Sequence, residues 1–186
     1  NNLREIFAYD ANGNRTEQIM QEWDSIKNEW GNSRRTVYHY AANENPTEKT
    51  HYLWDSETNE WMNNIRLVYS DDINGNRIMY IKYEWDSETN TWIEDYRLVY
   101  AYDVNGNLTE EILYQWGTEP GEWKYSHRTV YIYNGSRSLT EEIDYNWDPE
   151  TNVWVEDYRN VTAYDSNGNT TESAEYNWNL ETNSWV

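Results

Sequence analysis

Along most of the chain, large apolar side chains alternate with polar or small ones, as in Arg97–Asp103 (RLVYAYD) and Leu108–Trp116 (LTEEILYQW). A period of two, built from β-branched and aromatic residues, predicts strands with one apolar face. Helical spacing is absent from these runs, and Asn-Gly breaks them at regular intervals, which predicts turns.

The pattern itself recurs. Arg4, Arg35, Arg66, Arg97, Arg128 and Arg159 stand 31 residues apart. Trp23, Trp54, Trp85, Trp116, Trp147 and Trp178 keep that period, and so do Trp30, Trp61, Trp92, Trp123, Trp154 and Trp185, which together are all 12 tryptophans. A fixed period is the mark of a repeat architecture. The units run 4–34, 35–65, 66–96, 97–127, 128–158 and 159–186, with 1–3 completing the phase. Each unit predicts one β-hairpin, so the single domain 1–186 is expected to be an all-β antiparallel meander of twelve strands. A sheet with one apolar face must cover it. Joining Val186 to Asn1 gives WVNNLR, which matches WMNNIR at 61–66. Two forms therefore stay open, a closed barrel and a coiled sheet that continues into a longer array.

Two turns define the hairpin. Asp103-Val104-Asn105-Gly106 fits a type I turn, with Gly106 at positive φ forming a bulged three-residue loop. Gly13, Gly75, Gly135 and Gly168 are assigned the same structural role. That register pairs Tyr102 with Leu108, Tyr100 with Glu110 and Leu98 with Ile112. It gathers Tyr96, Leu98, Tyr100, Tyr102, Ile112, Tyr114 and Trp116 on one face. The second turn, Ser87–Asn90, places Trp85 across from Trp92 on that same face, with Asn90 left-handed. Arg97, Val99, Glu111 and Leu113 are then expected on the opposite face. There the structural arginines Arg66, Arg97 and Arg128 form an ion-pair ladder, Arg97 with Glu111 and Arg128 with Glu142.

Composition narrows the function. The chain has 18 Tyr, 12 Trp and one Phe, so rings supply most of the apolar mass and argue against disorder. The net charge of -20 argues against nucleic acid and anionic membranes as partners. Without cysteine there is no disulfide framework or thiolate metal site. No apolar run is long enough to span a membrane as a helix. Lacking both a leader and an initial Met, the sequence reads as a mature or excised piece.

The turn segments YDANGNRTEQ, YDVNGNLTEE and YDSNGNTTES resemble the YD repeats of Rhs and teneurin-type proteins, which carry Y-D-x-x-G-x-L-T. The whole unit resembles tandem repeats of secreted surface proteins from Bacteroidota. That resemblance implies β-hairpins coiled into sheets and a secreted or cell-surface location, and it identifies no catalytic residue to carry over.

Candidate chemistry is sparse. Asp10, Asp103 and Asp165 open D-x-N-G-N loops rich in oxygen ligands, which makes calcium a candidate; turn chemistry accounts for the same residues without a metal. Trp54, Trp61, Trp85, Trp92, Trp147 and Trp154 flank loops, where rings can stack on sugars; the competing reading is that the rings are the core. His39, His51 and His127 fall at unrelated repeat positions, and no nucleophile, phosphate-loop or metalloprotease motif occurs. The expected function is non-enzymatic and needs no cofactor. It is an extracellular structural or adhesive module of a surface shell, stalk or filament, partnered by itself or by neighbouring repeats. The alternative is a carbohydrate-binding module.

Overall fold

The computed structural model describes residues 2–117 and 121–186; Asn1, the first residue of the phase-completing stretch, lies outside them. The chain forms two compact units, Asn1–Asp95 and Tyr96–Val186. The first holds β1 (Leu3–Tyr9), β2 (Arg15–Asp24), β3 (Glu29–Tyr40), β4 (Pro46–Asp55), β5 (Glu60–Asp71), β6 (Arg77–Asp86) and the start of β7 (Thr91–Tyr102). The second holds the rest of β7, β8 (Leu108–Trp116), β9 (Trp123–Tyr133), β10 (Leu139–Asp148), β11 (Val153–Tyr164), β12 (Thr170–Asn179) and β13 (Ser184–Trp185). Within each unit the strand order follows the sequence and, among the described residues, does not close into a ring. The all-β antiparallel meander is as expected.

Among the described residues the strands number thirteen rather than twelve. The four variable residues between Trp and Arg are strand interior, so each long strand runs across a repeat boundary. Strands β3, β5, β7 and β11 are 12 residues long. Strands β1 and β13 correspond to the late and early parts of such a strand and are counted separately.

Both turns form as the residues dictate. The Gly106 amide donates to the Asp103 carbonyl at 3.0 Å, and the Asp103 amide donates to the Asn107 carbonyl at 2.9 Å. Gly106 has φ +82°. In the second turn Asn28, Asn59, Asn90, Asn152 and Asn183 are all left-handed, φ 51° to 59°. The first turn survives loss of its signature residues: at Ala41–Asn45 the left-handed position is Glu44, φ 66°. Gly135 does not hold that position in its own turn. Arg137 does, at φ 66°, because Asn134-Gly135-Ser136-Arg137 places glycine two residues early.

The register departs from expectation just past the turn. Tyr102 pairs with Leu108, but Tyr100 pairs with Glu111, Val99 with Ile112 and Leu98 with Leu113. Thr109 is an extra, unpaired residue, and its hydroxyl donates to the Ala101 carbonyl at 3.1 Å. Thr16, Thr47, Ile78, Thr140 and Thr171 are skipped in the same way. A second bulge skips Ser33, Asn64, Ser126 and Asp157, between the Trp and the Arg of β3, β5, β9 and β11.

A one-residue slip exchanges the faces of a strand. One face of the sheet therefore carries the Trp pairs with Ile112, Tyr114, Val99 and Arg97. The other carries Leu98, Tyr100 and Tyr102. Aromatic residues occupy both faces, contrary to the one-faced expectation. Among the described residues no hydrophobic side chain is fully buried, and only Thr50 and Thr129, 5% and 6% exposed, are buried at all. All twelve tryptophans are half-buried.

The turn geometry sets a stability test. Gly106→Ala puts a Cβ at positive φ and should cost about 1–2 kcal/mol, while Glu44→Gly relieves the same strain and should gain roughly 1 kcal/mol. Urea unfolding of both variants measures this; equal and small effects would contradict the assigned backbone.

Candidate functional site

The six tryptophans singled out by their place beside loops form edge-to-face pairs. Ring centroids lie 4.9 Å apart in Trp54–Trp61, 5.2 Å in Trp85–Trp92 and 5.1 Å in Trp147–Trp154, each at 69° between planes. Trp23–Trp30, Trp116–Trp123 and Trp178–Trp185 repeat the arrangement at 5.3, 4.9 and 5.1 Å. Such pairs contribute about 0.5–1.5 kcal/mol beyond burial. Each ring covers part of its partner and leaves the rest in solvent, so the same residues pack and present.

Grooves open beside these pairs. In the first unit Trp23, Trp54 and Asn32 line one of about 360 Å³. In the second unit Trp123, Tyr125 and Trp147 line one of about 690 Å³. The sequence reading included Trp54 and Trp147 but missed Trp23, Trp123 and Tyr125. The signal for Tyr125 was its departure from the repeat, since Asn32, Asn63, Glu94 and Glu156 hold the equivalent position.

The arginine ladder exists with different partners and on the Trp face. Arg128 Nε bonds Glu110 Oε1 at 2.6 Å, not Glu142, and Arg66 bonds Glu48 at 2.6 Å. Arg35–Glu17 at 2.5 Å and Arg159–Glu141 at 2.6 Å complete the series. In every case the acid stands eighteen residues before the arginine. Before Arg97 that residue is Met79. Arg97 does not pair with Glu111, which the bulge at Thr109 sends to the other face. It lies instead 4.3 Å from the Tyr114 ring centroid and 4.7 Å from that of Trp123. Its Nε is buried without a hydrogen-bond partner.

The calcium candidates spend their oxygens on their own loops. Asp103 Oδ1 accepts from the Asn105 and Asn107 amides at 2.8 and 2.9 Å, and Oδ2 accepts from the Asn107 side chain at 2.8 Å. Asp10 and Asp165 make the same three contacts. These donors hold the carboxyls below the usual range, with the Asn107 amide the largest influence on Asp103. No group of three or more His, Asp or Glu poised for a metal ion occurs among the described residues.

The opposite face collects acids around buried Thr129. The Thr129 hydroxyl donates to Asp144 Oδ1 at 2.7 Å, and His127 Nε2 stands 3.5 Å from the same oxygen. Burial, aided by the Asp144 charge, raises Glu111 and Glu142. Tyr131 is pushed up to about 12, by burial first and then by Glu111, Glu142 and Asp144. His51 is lowered by burial and faces the Thr36 hydroxyl at 3.1 Å. None of this sets an activated nucleophile beside a base.

The model of a family of unknown function, DUF3836, matches residues 1–64. No curated protein matches the chain. Among solved structures, it is similar to a protein of unknown function from Bacteroides fragilis, with 20% identity, a TM-score of 0.55, and coverage of 68% of this chain and 91% of that one. It is also similar to a chain in the crystal structure of TcdB2-TccC3-Cdc42, with 14% identity, a TM-score of 0.59, and coverage of 99% of this chain but 9% of that one. A DUF3836 family protein from Bacteroides vulgatus aligns at 23% identity with a TM-score of 0.43, over 50% of this chain and 91% of that one. At these identities the likeness is one of fold.

The two classes of carboxylate give opposite pH dependences. The Asp103 cap has a lowered folded pKa, so its stabilisation is present above the unfolded value and lost as pH falls through the folded one. Glu111 has a raised folded pKa, so stability declines as pH rises from the ordinary glutamate range through it. Glu111→Gln should therefore raise the melting temperature by about 2 °C at pH 7 and leave it unchanged near pH 3. Asp103→Ala should lower it at pH 7, an effect that fades with acid. Thermal melts across pH test both signs.

Proposed function

We propose that the chain is a structural and adhesive repeat module of an extracellular shell, stalk or filament, and that it is not an enzyme. The observation that carries this is a sheet in each unit without a fully buried hydrophobic side chain among the described residues. Both faces keep apolar area that further repeats, or further copies, would cover with gain. A value of about 25 cal/mol per Å² makes even partial covering worthwhile. Titratable groups serve turns, ladders and rows rather than one reacting centre.

Several observations support the repeat class. The D-x-N-G-N turns resemble YD repeats, and the fold recurs in a Bacteroides fragilis protein. It also recurs over 9% of a much larger chain, which fits a module used as part of a bigger assembly. Nucleic acid is set aside by the charge of -20. Insertion in a bilayer is set aside because both sheet faces carry charges, Arg128 with Glu110 on one and Glu111 with Asp144 on the other.

Bead clustering tests the adhesive reading. Beads coated with the protein should cluster increasingly with coating density and disperse when soluble protein is added in excess. Beads that stay single at every density would refute it.

A further inference from the structure

We propose that the groove beside Trp123, Tyr125 and Trp147 binds a neutral polysaccharide of pyranose sugars. This goes beyond the structural reading and does not rest on it.

The repeat supplies its own control. The same groove occurs three repeats earlier, where Trp54 stands for Trp147, Asn32 for Tyr125 and Gly31 for Lys124. That version measures about 360 Å³ against about 690 Å³. In the smaller one Asn32 is occupied within the sheet, accepting from the Gln21 side chain at 2.8 Å. The fold therefore does not require an aromatic ring at this position.

Tyr125 builds a shelf there. Its ring lies 4.8 Å from Trp147, tilted 45°, and 5.3 Å from Trp154. It also packs 4.9 Å from Tyr114, yet it stays 41% exposed. A half-exposed aromatic ring can stack on the C–H face of a pyranose, and such a sugar presents hydroxyls at its edge. Gln115, Lys124 and Asn152 line the same groove and offer donors and acceptors for them. Apolar stacking flanked by a few polar groups is the chemistry of a sugar subsite rather than of a purely apolar peptide groove.

Charge selects among glycans. The chain carries -20, and Glu122 lines the groove, so polyanionic sugars meet a repulsive field. A neutral chain of sugars does not.

The test uses the full chain in native gels containing laminarin, mixed-linkage β-glucan, xyloglucan, galactomannan or starch. Retardation is expected in at least one. Tyr125→Asn, which installs the residue found at 32 and 63, should weaken it about tenfold in protein that remains folded by its thermal melt. Tyr125→Glu, the residue type at 94 and 156, is the second variant should the first fail to fold. Asn32→Tyr should build a second shelf and strengthen retardation. Migration unaffected by all five polysaccharides would overturn the proposal. So would retardation that folded Tyr125 variants leave unchanged, since the sugar would then bind elsewhere.

Discussion

Everything else in the structure depends on where the backbone ladder slips. Within each unit the described strands pack chiefly against their neighbours in the sheet, so register must be held from within. The turn after Tyr102 fixes one end of the pairing. The bulge at Thr109 moves it by one residue, and the bulges at Ser33, Asn64, Ser126 and Asp157 move it once more in the long strands. Each costs ladder hydrogen bonds and adds twist. In return, Arg35 shares a face with Trp30 and Tyr52, although Arg35 stands five positions after Trp30 and an unbroken strand would set them on opposite sides.

That face then works as a set of rows. At Arg35, Arg66 and Arg128 an acid lies on one side and a tyrosine ring on the other, as in Glu17–Arg35–Tyr52. Exposed ion pairs contribute about 0–1 kcal/mol each, and ring pairs somewhat more. These are small terms, but the repeat multiplies them, and each contact lies between adjacent or next-adjacent strands. A repeat array is stable as a sum of such neighbour terms. Arg97 shows what happens when one member changes. With Met79 in the acid's position, the guanidinium lies closer to its rings, 4.3 Å from Tyr114 against 5.4 Å for Arg128 over Tyr145.

The hairpins, both turns and the Trp pairs were legible because each depends on local chemistry or on strict period. The D-x-N-G-N loop states its own turn, and W-D-x-E-T-N-x-W states its own pairing. The bulges were harder to see, because a threonine suits a strand as well as a bulge. Yet a clue was present: Trp and Arg, the two strictest residues, are separated by an odd spacing. Reading that spacing as a regular strand put Arg97 on the wrong face and assigned Arg128 to Glu142. Gly135 misled for a related reason, since glycine marks a turn but not which position in it.

Tyr125 shows where strict and free positions part. Arg and Trp hold their places through every repeat because the rows need them, so they say little about any one site. A position that takes Asn, Glu or Tyr is one the rows do not constrain. Its side chain is free to serve something outside the sheet, and the groove that holds Tyr125 measures about 690 Å³ where the one that holds Asn32 measures about 360 Å³. In a repeat protein, structure is therefore read from what recurs and specificity from what does not. On this sheet, the exception stands among half-exposed tryptophans, where one added ring turns packing residues into a surface for recognition.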